Sequence, residues 1–108
     1  MDPYILFSGE NALNREFILN ALRDAEPESR KRGIRSLAVF GSVARGEATA
    51  ESDLDILVDF SRPVGLFDFL RTKNYLEQIT RCRVDLVSPD ALRPEFNERI
   101  LNEAVIVQ

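Results

Sequence analysis

The chain has 108 residues, 44% of them hydrophobic and 30% charged, with 18 acids against 14 bases and a formal charge of −4. That length holds a single domain, read as residues 1–108, and no apolar stretch in it approaches the roughly 20 residues of a membrane span. The net acidity argues against a protein that grips a nucleic-acid backbone, so no DNA partner is expected and RNA is disfavoured.

Residues 11–25, NALNREFILNALRDA, place Leu13, Phe17, Ala21 and Ile18, Leu22, Ala25 at helical spacing, which predicts an amphipathic helix. Pro27 opens a second short helix through Arg32, and Gly33 ends it. SLAVF, residues 36–40, reads as a central strand ending at Gly41. Residues 54–58 form a second strand, Arg62-Pro63 a turn, residues 65–80 a helix and residues 83–87 a third strand. Ser88-Pro89 starts a helix or turn, and Pro94 opens a last helix holding Phe96, Ile100, Leu101 and Ala104. Val105-Ile106-Val107 fits a helix end, an edge strand or a docking tail. Strands alternating with helices point to an α/β sandwich.

The stretch GSVARGEATAESDLDILVDF, residues 41–60, carries the chemistry. Gly41 follows a buried strand and can take a backbone shape that lets a phosphate approach closely. If Ser42 opens the next helix, its amides and hydroxyl face the same place and favour an anion. Asp53 and Asp55 are two apart on a strand, so their carboxylates share one face while Leu54, Ile56 and Val58 point into the core. Two close negative charges repel and raise the pKa of one acid unless a cation compensates them. Asp85, between Val84 and Leu86, lands on the same face if the second and third strands are neighbours. The plainer alternative is a turn at Ser52-Asp53, with Asp55 hydrogen-bonded to a loop.

Cys82 is the only cysteine and histidine is absent, so the zinc spacings are missing and an all-oxygen site suits Mg²⁺ or Mn²⁺. Two ions roughly 4 Å apart, held by Asp53, Asp55 and Asp85, would clamp an in-line displacement at phosphorus. The lone cysteine, and an N-terminus without a basic flank and apolar run, fit a cytoplasmic setting.

Gly41-Ser42, then Asp53-Leu54-Asp55, then Asp85 resembles the nucleotidyltransferase superfamily that shares its fold with DNA polymerase beta. FGSVARGEATAESDLDILVDF, PVGLFDFL, RVDLV and LRPEFNERILNEAVIV are similar to the minimal nucleotidyltransferases, from about residue 12 to the end. The resemblance implies a polymerase beta-like fold, a short mixed β-sheet with helices packed against one face. It implies Gly41 and Ser42 as phosphate-binding, and Asp53, Asp55 and Asp85 as metal-binding and catalytic. It further implies an antitoxin that uses ATP and Mg²⁺ to attach AMP to a tyrosine of a HEPN ribonuclease toxin, with a toxin complex as an open expectation. One departure is Thr80-Arg81-Cys82, where relatives often carry a glycine before the strand.

Three further readings stay open. Arg45 either reaches the triphosphate or pairs with Glu47, Glu51 or a core-edge carboxylate. Lys73 lies on an apolar stripe of Leu66, Phe69, Leu70 and Leu76, and either pairs with Glu77 or is directed at ATP or the carboxylates. Tyr4 and Tyr75 either accept or stack on nucleotide, or Tyr75 packs with its hydroxyl at the surface. Against the adenylyltransferase stand a non-catalytic antitoxin that masks its toxin, and a nucleotidyltransferase with a small-molecule or RNA acceptor.

Overall fold

The computed structural model describes residues 14–49, 51–91 and 94–108, apart from the Phe96 side chain. Tyr4, Phe7 and Leu13 lie outside the described residues, as do positions 11–13 of the first predicted helix. Helix α1 runs Arg15–Asp24, and Asn14 caps it by accepting the Phe17 N–H at 2.9 Å. Its buried face is Ile18, Leu19 and Leu22. Phe17 stands at the margin, 40% exposed. Helix α2, Glu26–Lys31, carries Pro27 in its first turn, and Gly33 at φ 85° turns the chain into the sheet.

The sheet has four strands in the order β3-β2-β1-β4. Strand β1 (Ile34–Phe40) and β2 (Leu54–Phe60) are antiparallel, and each is longer than its apolar run suggested. The added ends are held by a charge pair across the strands: Arg35 Nε and Nη2 donate to Asp59 at 2.9 and 2.6 Å. Strand β3 (Val84–Val87) lies parallel to β2, and β4 (Val105–Ile106) pairs antiparallel to β1, so the sheet is mixed. The chain end is thus an edge strand, one of the three forms its sequence allowed.

Register decides which side chains meet. Leu37 pairs with Val58, Val39 with Ile56, Leu54 with Val84 and Ile56 with Leu86. That face forms one core with Ile18 and Leu22 of α1 and with Tyr75 and Leu76 of α4, Leu66–Thr80. Burying each large side chain contributes roughly 1.5–3 kcal/mol.

The buried side of α4 differs from the expected stripe. Leu76 is fully buried, but Leu66 and Leu70 face solvent, and the helix turns Thr72, Tyr75 and Thr80 inward instead. The threonines tolerate this because Thr72 Oγ1 donates to the Asp68 carbonyl at 2.9 Å and Thr80 Oγ1 to the Leu76 carbonyl at 2.7 Å. Tyr75 does not hold its hydroxyl at the surface. The group points at the Ala25 carbonyl, 3.5 Å away, and the Arg32 guanidinium covers the ring at 4.0 Å. Arg81 ends α4 at φ 60°, the left-handed shape glycine adopts without strain. A 3-10 turn, Pro89–Ala91, leads toward the last helix, α5, Pro94–Glu103.

Candidate active site

The face of the sheet opposite the core gathers the acids. β2 alternates without a break: Leu54, Ile56 and Val58 are fully buried, while Asp55, Leu57 and Asp59 are half-buried on the other side. In the parallel pairing with β3, Asp55 lies directly across from Asp85. Neighbouring strands stand about 4.8 Å apart, so the two carboxylates project side by side.

Their proximity has an electrostatic cost. Burial, then the negative charges of Asp85 and Asp53, push the Asp55 carboxyl up to about 6, with Arg45 opposing the rise. Asp53 itself sits just ahead of β2, exposed, with Oδ1 3.5 Å from Arg83 Nε. Among the described residues no three acids are already arranged around a point where a metal ion would sit. Two of the predicted acids are together, and the third, Asp53, is exposed and turned to an arginine.

Gly41 begins helix α3, Gly41–Arg45, one residue earlier than expected, at φ 71°. A Cβ there would run into Asp55 Oδ2 and force that carboxylate to move. The glycine is therefore favoured both by its backbone shape and by the carboxylate packed over it. The Ser42 hydroxyl has no hydrogen-bond partner among the described residues, whereas its carbonyl accepts the Glu47 N–H at 2.8 Å. Gly46, at φ 74°, closes α3 and bends the chain back toward Asp53.

The Gly41 amide is already engaged. It donates to Glu103 Oε1 at 3.1 Å. Arg45 takes the pairing alternative: Nε donates to Glu47 at 3.0 Å, and Nη1 donates to Glu103 Oε1 and Oε2 at 3.3 and 3.1 Å. Glu103 is the site residue that sequence reasoning missed. Its only signal is tertiary. The antiparallel pairing of Val39 with Val105 carries position 103 alongside position 41.

Lys73 is not joined to the acids. It lies half-buried on α4, the helix that packs on the core face, whereas the carboxylates occupy the other face. Nor does it pair with Glu77, whose Oε2 accepts the Val84 N–H at 2.9 Å and so covers the outer edge of β3.

The nucleotidyltransferase domain model matches residues 18–107 of this chain. The chain belongs to the nucleotidyltransferase domain family. Within that family it is 42% identical over 96 residues to protein adenylyltransferase MntA of Thermococcus cleftensis, covering 88% of this chain and 97% of that protein. A solved minimal nucleotidyltransferase matches with a TM-score of 0.75 and 39% identity, over 85% of this chain and 94% of its own. The fold also recurs, at TM-score 0.60 and 14% identity, in a complex of the tri-AMPylated Shewanella oneidensis HEPN toxin with MNT antitoxin. That match covers 83% of this chain and 71% of the other.

Proposed function

We propose that this chain is an antitoxin that transfers AMP from ATP to a tyrosine hydroxyl of a cognate HEPN toxin, with Asp53, Asp55 and Asp85 holding Mg²⁺. The observation that carries the reading is the in-register pair Asp55 and Asp85 beside Gly41, in a chain that matches nearly the full length of a protein adenylyltransferase.

The donors fit the metal. They are carboxylate oxygens only, and the Asp55 carboxyl, raised by burial and then by the charges of Asp85 and Asp53, is relieved by positive charge. When bound, divalent ions neutralise these acids and stabilise charge on the transferring phosphoryl group and departing pyrophosphate. The chain's own groups do the rest. The Gly41 amide, the Ser42 hydroxyl and the Arg45 guanidinium bind the outer phosphates. Asp85, exposed on the edge strand, takes the proton of the attacking tyrosine hydroxyl. The tyrosine oxygen bonds to the α-phosphorus as the bond to the bridging oxygen breaks and pyrophosphate leaves. Lys73 has no part in this scheme.

Incubation of the purified chain with labelled ATP, Mg²⁺ and the toxin should label the toxin on tyrosine. Absence of label on an active toxin, under conditions where the chain binds ATP, overturns the reading. Silencing of the toxin by an Asp55→Asn chain as fully as by the wild type would favour masking by contact alone.

A further inference from the structure

Glu103 is a carboxylate lodged where the reading above places a phosphate. It is held by a backbone amide and a guanidinium, the two donor types that grip phosphate oxygens elsewhere in proteins. Desolvation acts to raise its pKa, yet Arg45 and the Gly41 amide hold the carboxyl below the usual range, so it stands there as an anion. Its surroundings offer an exit. With Glu95, Glu98, Arg99 and Asn102 it lines an open surface cleft of about 510 Å³, and of these side chains Arg99 attracts it.

Resting on the nucleotide reading of this site, we propose that Glu103 is the chain's own stand-in for a triphosphate oxygen. In the nucleotide-free protein it occupies the Gly41 amide and Arg45. Nucleotide binding exchanges it outward toward Arg99. Because Glu103 is the last residue of α5 and Val105 already pairs with β1, the exchange loosens the end of α5 while β4 stays anchored. Nucleotide occupancy is thereby signalled to the C-terminal helix. The exchange also weakens apparent affinity, since only molecules with Glu103 displaced are competent to bind.

The test is binding of AMP-PNP with Mg²⁺ to the full chain, by calorimetry, for wild type and Glu103→Gln. The glutamine keeps the side-chain length and removes the charge. Affinity should rise about tenfold if roughly one molecule in ten is competent before the change. A parallel measurement needs no variant: in ¹H–¹⁵N spectra of the wild type, the Gly41 amide and those of residues 99–103 should shift along one saturation curve. Equal or weaker binding by Glu103→Gln, or residues 99–103 unmoved at saturation, overturns the proposal and makes Glu103 a structural prop. If neither chain binds AMP-PNP, the nucleotide reading falls, and this proposal with it.

Discussion

Asp55 and Asp59 lie on the same face of one strand, four residues apart, and the protein treats them in opposite ways. Asp59 is matched: Arg35 on β1 reaches it with two nitrogens, at 2.9 and 2.6 Å. Asp55 is placed across from another aspartate, and burial, then the charges of Asp85 and Asp53, raise its pKa to about 6. At Asp59 the sheet compensates the carboxylate itself. At Asp55 the Arg45 charge opposes the rise only in part, and the carboxyl stays raised.

Two substitutions on adjacent residues separate the roles. Asp55→Asn should reduce AMP transfer about a thousandfold or more, some 4 kcal/mol of transition-state stabilisation. It should leave the melting temperature of the metal-free protein unchanged or higher, because a repelled charge is removed. Ile56→Ala should do the reverse, costing about 3 kcal/mol in urea unfolding while the folded fraction keeps its transfer rate. If Asp55→Asn unfolded the protein as Ile56→Ala does, the two faces of β2 would not differ in purpose.

The same contrast predicts a pH dependence. Asp55 has a folded pKa near 6, above the unfolded value of about 3.8. The folded state therefore binds the proton more tightly, and this contribution to stability is present below about pH 4 and lost as pH rises through 6. The full shift would be worth about 3 kcal/mol. Asp55 is half-buried, so solvent screening reduces the expected loss to about 1–2 kcal/mol. Thermal melts in EDTA should show the wild type falling relative to Asp55→Asn between pH 4 and pH 7, and millimolar Mg²⁺ should narrow the gap. A flat difference between the two proteins would mean the acids are already compensated.

Legibility in the sequence followed the range of the forces involved. The alternation of Leu54, Ile56 and Val58 with Asp55 is local, so the strand and its buried face could be read directly. Asp53, expected on the strand beside Asp55, instead stands just ahead of β2 and faces Arg83. Placing Asp85 needed one tertiary assumption, that β2 and β3 are neighbours, and their parallel pairing supplies it. Glu103 and the Arg83–Asp53 pair depend on strand pairing between distant segments, and no local spacing announces them. Thr72 and Thr80 misled for another reason. Their hydroxyls bond within the helix, so residues that look polar in sequence behave as core. Arg81 takes a left-handed backbone shape that glycine adopts without strain, which its residue type alone does not announce.

The smallest expected effect tests the other side of the opening contrast. Asp59 and Arg35 are partly exposed, at 35% and 62%, so their ion pair is screened by water and its net worth is that of a surface bridge. Asp59→Asn keeps the side-chain size and can still accept a hydrogen bond from Arg35. It should cost about 0.5 kcal/mol at low salt, less at 1 M NaCl, and leave AMP transfer at the wild-type rate. Urea unfolding at two salt concentrations beside a transfer assay checks all three. A large loss of transfer at wild-type stability would extend the active face two pleats further along β2 than the Asp55–Asp85 pairing places it, and the matched carboxylate would then belong to the chemistry as well.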